Sequence, residues 1–141
     1  MSELKTAKEC ARSMWSSDAA SKAMGMKVEI RKAGGSTARL TVREDMLNGF
    51  GVCHGGIVFA LADTAFAFAC NAYNRKAVAA SGSIEFMRPV KLGDELRATA
   101  TEEYRGRKSG FYSVKVENQD GTVVALFRGR SVSRSDPILK K

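Results

Sequence analysis

The chain has 141 residues, 44% of them hydrophobic and 27% charged, which is the balance of an ordinary globular protein. That excludes a disordered chain and a collagen, and a chain of this length builds one core, not two. With 23 basic against 15 acidic residues the net charge is +8, which favours an anionic partner: nucleic acid, acidic lipid or a phosphorylated small molecule.

The start, Met1-Ser-Glu-Leu-Lys5, lacks the basic and apolar regions of a signal peptide. Leu4, Ala7, Ala11, Met14 and Trp15 recur at helical spacing, so a short amphipathic helix is expected over residues 3–16, broken or followed by a capped turn at Ser17 and Asp18. Val28 and Ile30, then Ala38, Leu40 and Val42, alternate with polar residues and read as two strands around a turn at Lys32–Ser36. Asp45–Gly56 holds four glycines in twelve residues, a loop whose backbone takes unusual angles or approaches something closely. The run Ile57–Cys70 that follows has fourteen residues and contains Asp63 and Thr64. A bilayer span needs about 20 apolar residues, so no membrane is implied, and the Ala, Leu and Phe content predicts a buried helix over roughly Gly56–Tyr73. Strands are expected near 79–88, 94–103, 110–118 and 122–133, with turns at Lys91–Asp94, Arg105-Gly106 and Gln119–Gly121. The fold class is therefore α+β: one long helix against a mostly antiparallel sheet, preceded by a short N-terminal helix. No repeat or linker divides the chain, so residues 1–141 read as one domain with its core at about 20–133 and a tail at 134–141. Cys10, Cys53 and Cys70, odd in number and widely spaced, fit a cytoplasmic protein better than a disulfide scaffold.

Asp63 stands out on physical grounds alone, because its apolar neighbours cannot solvate it fully. An unpaired buried carboxylate is costly, and burial raises its pKa toward the range of a base or nucleophile working near neutrality. The alternative is an Asp bonded to backbone at a helix–sheet contact. His54, the single histidine, ends the glycine loop and abuts the expected helix start at Gly55-Gly56. Free N–H groups there suit a carbonyl or oxyanion, and glycine lets a substrate come close; simple capping is the alternative. Sharper motifs fail. With only Cys53 and His54 adjacent, zinc lacks ligands, and the two side chains of an extended pair point to opposite sides. The glycines match neither GxGxxG nor a P-loop, so no cofactor and no metal is implied. Eight residues separate Gly55 from Asp63, about 12 Å along a helix. One carbonyl cannot lie within hydrogen-bond reach of both, so if both are catalytic they come from different chains.

The stretch Asn48-Gly-Phe-Gly-Val-Cys-His-Gly-Gly-Ile-Val-Phe-Ala-Leu-Ala-Asp-Thr-Ala-Phe66 resembles the signature of hotdog-fold acyl-CoA thioesterases, most of all their phenylacetate-degradation (PaaI-type) branch. Ser83–Pro89, Arg105–Tyr112 and Ala125–Gly129 resemble that branch too, and the similarity covers roughly residues 20–133. It implies a hotdog fold, with dimers that pair their sheets, often as dimers of dimers or homotetramers, and active sites at the dimer interface. By that resemblance the Gly55 amide polarises the thioester carbonyl and Asp63 acts as nucleophile or as base toward water. Asn48 and His54 match positions that orient the thioester or the loop, and Gly56 completes the helix start beside the substrate. A serine early in the next strand places the water; Ser81 and Ser83 both qualify. Some aryl-CoA thioesterases of the superfamily carry a threonine one turn past the carboxylate, where this chain has Ala67.

The basic excess then has a use. Arg105, Arg107 and Lys108, beside Ser109 and Gly110, with Arg88, Arg128 and Arg130 on neighbouring expected strands, suit the phosphates of an acyl-CoA; a solvated basic face is the bland alternative. Trp15, Met24, Met26 and Phe50 are candidates for the acyl end, which hints at an aryl-acetyl or medium-chain group. The expected function is acyl-CoA thioester hydrolysis. The alternatives are a hotdog hydratase or dehydratase pairing His54 with Asp63, and a non-catalytic acyl-CoA-binding protein. Nucleic acid is disfavoured, resting on charge and on Tyr104 and Tyr112 beside the basic cluster.

Overall fold

The computed structural model describes residues 2–140. Helix α1 (Glu3–Ser16) begins at Ser2, whose side chain accepts the Lys5 N–H, and stops at Ser17. Asp18 then caps a second short helix, α2 (Ala19–Ala23), by accepting both the N–H and the hydroxyl of Ser21. There follow β1 (Lys27–Glu29), β2 (Gly35–Thr41), a 3-10 turn (Glu44–Met46), the long helix α3 (Gly55–Cys70), and strands β3 (Ala77–Phe86), β4 (Glu95–Arg105), β5 (Ser109–Glu117) and β6 (Val123–Ser133).

The strands form one antiparallel sheet in the order β1-β2-β4-β5-β6-β3. Alternate residues of β2, β4, β5 and β6 point at α3 and bury: Ala38 and Leu40, Leu96 and Ala98, Val114 and Val116, Ala125 and Phe127. The helix answers with Val58, Leu61, Ala62, Ala65, Phe66 and Ala69. Its alanines let the sheet close around it, while Phe66 packs against Tyr112 and Phe127. This is the α+β hotdog architecture expected from sequence. A smaller cluster of Ala7, Ile30, Phe68 and Ala72 fixes α1 to the far side of α3.

Most boundaries shift by one or two residues, and two of the differences have a clear local reason. The periodicity of the long helix runs on to Tyr73, but α3 ends at Cys70. There the Asn71 side chain donates to the carbonyls of Ala67 and Ala77 and accepts the Ala77 N–H, so the chain turns into β3. β3 itself stops at Phe86, because the N–H groups of Met87 and Arg88 both turn to the Val124 carbonyl just before Pro89, which has no N–H to give. The outcome is a ten-residue edge strand, mostly exposed and pairing on one side only with β6.

Gly129 on β6 shows how tightly this packing is drawn: a Cβ there would lie 2.9 Å from Phe66 and 2.9 Å from Phe127. Gly129→Ala is expected to cost about 1–3 kcal/mol, the range for overpacking a filled core, read as a lower denaturation midpoint with unchanged slope. An unchanged midpoint would mean the two rings yield freely.

Candidate active site

The glycine loop is a closed structure built on Asn48. Its N–H donates to the Val52 carbonyl (2.7 Å), and its side-chain oxygen accepts the N–H groups of Phe50 (2.9 Å) and Val52 (3.3 Å). Gly51 takes the left-handed φ of +79° that closes the turn. Phe50 rides on the tip, 93% exposed, whereas Trp15, Met24 and Met26, with which sequence reasoning grouped it, pack in or against the main core. Leu47 then bridges Cys53, whose thiol is buried and pushed above its ordinary pKa by that burial. His54 beside it is exposed, on the opposite side, as an extended pair requires.

His54 is the N-cap of α3. Its Nδ1 accepts the Gly56 N–H at 2.9 Å, and its carbonyl accepts from Ile57 and Val58. A Cβ on Gly56 would stand 3.0 Å from that nitrogen, so any larger residue there would press on the cap. With Gly56 engaged, the Gly55 N–H is left with no hydrogen-bond partner among the described residues. It is a free donor at the positive end of a sixteen-residue helix. Gly55 lines a cavity of about 370 Å³ with Val52, Phe86, Arg88 and Pro89. Sequence-expected Gly55 and Arg88 thus share one recess.

Asp63 lies two turns farther on, on the helix stripe that also carries Phe59, Phe66 and Cys70. The first two pack on Phe127, so this stripe faces the β6–β3 end of the sheet. Gly82 and Gly129, paired across β3 and β6, remove side chains from the sheet opposite it. The carboxylate is half-buried, and among the described residues it forms neither a hydrogen bond nor an ion pair. Desolvation holds its pKa above the ordinary carboxylate value.

The other expected residues fall in two further places. Ser81 and Ser83 pair with Arg130 and Arg128 and share with them a cavity of about 540 Å³, on the sheet face turned away from α3. Arg105, Arg107, Lys108 and Ser109 form the β4–β5 hairpin beside Cys70 and Tyr73, at the opposite end of α3 from Gly55. Gly110 is buried under Tyr112 and Ser131, with no room for a Cβ, and serves packing. Arg105 stacks on the Tyr73 ring at 3.7 Å, while Arg107 and Lys108 are exposed cations of the turn.

Sequence reasoning missed Glu102, whose carboxylate accepts from the Tyr73 hydroxyl (3.0 Å) and the Tyr112 hydroxyl (2.8 Å). Burial and Glu102 raise the Tyr73 pKa to about 12 and raise that of Tyr112 further. The cluster ties the hairpin to the helix end and sets the Tyr112 ring against Phe66. The signal lay in the β4–β5 pairing register, which places Glu102 opposite Tyr112.

Residues 50–125 match the thioesterase superfamily. Over 121 residues the chain is 45% identical to the acyl-coenzyme A thioesterase PaaI of Escherichia coli, spanning 86% of each sequence. It superposes on the structure of the E. coli PaaI protein from the phenylacetic acid degradation operon with a TM-score of 0.94 at 41% identity, over 96% of this chain and 99% of that one. The Streptococcus mutans protein smu.793, solved bound to acetyl-CoA, gives a TM-score of 0.76 at 25% identity, over 79% of this chain and 90% of that one.

Proposed function

The chain belongs to the thioesterase superfamily, and from that premise we propose that it hydrolyses an acyl-coenzyme A to the free acid and coenzyme A through Asp63 and the Gly55 amide. The observation that carries this is the Asp63 carboxylate itself: half-buried, unpartnered, raised in pKa and set under an open sheet edge. Either it takes a proton from the water that attacks the thioester carbon, or it attacks that carbon and the acyl-enzyme is then hydrolysed. In both routes the C–S bond breaks and the sulfur leaves as the thiol after gaining a proton. The Gly55 N–H, with the helix dipole behind it, holds the oxyanion that develops on the carbonyl.

Within one chain the two groups stand about 12 Å apart along the helix, too far to share a carbonyl. The free edge of β3 supplies the remedy. A two-fold axis there pairs β3 with its own copy antiparallel, so that the partner's helix runs the other way and brings its N-terminal end toward this chain's Asp63. The working unit is then a dimer, or a dimer of dimers, with composite sites. His54 caps the helix and Asn48 shapes the loop that presents the donor. That His54 Nδ1 is already bonded to Gly56 counts against a hydratase that would use the imidazole for proton transfer. Three free, buried cysteines suit a cytoplasmic protein. The operon of the E. coli relative points to an aryl-acetyl group as the acyl portion, with a medium chain next in line.

Arg107 and Lys108 suit the phosphates of coenzyme A. Replacing both by alanine is expected to raise KM severalfold and leave kcat near the parent value, since such contacts hold ground and transition state alike. A truncated thioester lacking the nucleotide should be indifferent to the change; equal losses on both substrates would move the phosphate site elsewhere. The function itself is tested by thiol release from short, long and aryl acyl-CoAs. Turnover of at least one class is expected. No release from any of them, or hydration of an enoyl-CoA in its place, would overturn the reading.

A further inference from the structure

On the far side of α3 the N-terminal helix and the first edge strand enclose a cavity of about 800 Å³. Its walls are Lys8, Ala11, Arg12 and Trp15, one face of α1 at helical spacing, and the stretch Lys27–Arg31. Phe68 of α3 closes the bottom. The floor is apolar: Ala11, Trp15, Val28, Ile30 and Phe68, all but Ile30 and Phe68 only partly buried. The rim is cationic. Glu29 is engaged by Arg31 at 3.1 Å, while Lys8, Arg12 and Lys27 form no ion pair among the described residues. Phe68 follows Asp63 by five residues, about 140° around the helix, so the cleft and the hydrolytic carboxylate lie on opposite faces of α3. Apart from Phe68, every lining residue precedes the segment that matches the superfamily.

We propose that this cleft binds a small amphiphilic carboxylate, its apolar body on the Trp15 floor and its head among Lys8, Arg12 and Lys27, at a site separate from the hydrolytic one. An apolar floor alone would take any oily molecule, and a basic rim alone any anion; together they select a molecule with both parts. The choice of carboxylate among anions rests on the thioesterase reading, because a free acid with an apolar body is what that reaction releases. The cleft is thereby a place for the enzyme to sense its own class of product.

Trp15 is the single tryptophan of the chain, so its emission reports the cleft directly. Octanoate titrated into the full-length protein is expected to change that emission saturably. Octanol and octyltrimethylammonium should bind at least about tenfold more weakly, the equivalent of losing one strong charge-assisted contact. By calorimetry, Lys8→Ala, Arg12→Ala and Lys27→Ala combined should lose at least about tenfold in octanoate affinity, with thioester turnover in the absence of octanoate unchanged. A saturating, non-cleavable thioether analogue of a turned-over acyl-CoA, which fills the hydrolytic site, should leave octanoate binding unchanged. Equal binding of the three probes, or an unaltered triple variant, would overturn the proposal. So would displacement of octanoate by that thioether, which would place the probe in the hydrolytic site. Binding to phosphatidylglycerol vesicles through the same three cations, without saturation by octanoate, would assign the basic rim to a lipid surface instead. Thiol release by the parent chain is read separately, so failure of the hydrolytic reading leaves a different signature.

Discussion

Asp63→Asn is expected to lower kcat for acyl-CoA hydrolysis by about 10²-fold or more, the low end for a lost general base, while substrate binding survives. The amide occupies the same space and keeps an acceptor oxygen, but it can neither take a proton from water nor attack the carbonyl. Stability should move the other way. Burial raises the Asp63 pKa in the folded state above its unfolded value. Its contribution is therefore most favourable when the group is protonated, below the unfolded pKa, and is lost as pH rises through the raised folded pKa. At neutral pH the parent carries an unpaired, half-desolvated charge that the asparagine variant lacks, so the variant should melt at the same temperature or higher. As pH falls, the gap between the two should close. A structural aspartate would give the reverse pair of results, with the melting temperature lowered and turnover intact.

Gly55→Pro is expected to fold and to lose about 10²–10³-fold in kcat, the effect of deleting one oxyanion donor. Proline removes the very N–H that has no partner among the described residues. Gly55 is the first residue of α3, the position where proline is best tolerated. His54 before it already has φ −59° and ψ 132°, the extended conformation a residue preceding proline requires. The nearest obstacle is the Phe86 ring, 3.1 Å from a Cβ at that position, so Gly55→Ala serves as control: it adds the same contact and keeps the donor. A proline variant as active as the alanine variant would remove the Gly55 amide from the mechanism.

The fold was largely legible in the sequence because its signals are local. Strand alternation, the Asp-Gly turn at 120–121 and the apolar run from Ile57 each follow from a few neighbouring residues. What escaped depends on residues far apart. The end of α3 at Cys70 comes from Asn71 reaching across to Ala77, not from any loss of periodicity. Of the candidate site, Asp63 and the Gly55-Gly56 helix start stood out because burial and free N–H groups follow from one helix and its entry. Ser81 and Ser83 could not be placed by alternation counted along β3 alone, since the bulge between Ala79 and Ser81 shifts which residues face the helix. The basic cluster divided for a similar reason. Arg105 is drawn onto Tyr73 and Arg128 onto the outer sheet face, by strand pairings no short window contains. The Glu102 link between Tyr73 and Tyr112 stayed hidden for want of any motif.

Pairing the two inactive variants decides whether Asp63 of one copy and Gly55 of another make a single hydrolytic site. Asp63→Asn and Gly55→Pro chains, co-expressed in equal amounts, should assemble at random, so that about half the pairs are hybrids. Each hybrid pair carries one doubly damaged site and one intact site, and the mixture should therefore recover about a quarter of the parent thiol-release rate. Either variant alone should show almost none. A co-assembled mixture no more active than the two variants measured apart would contradict the composite site and confine catalysis to one chain.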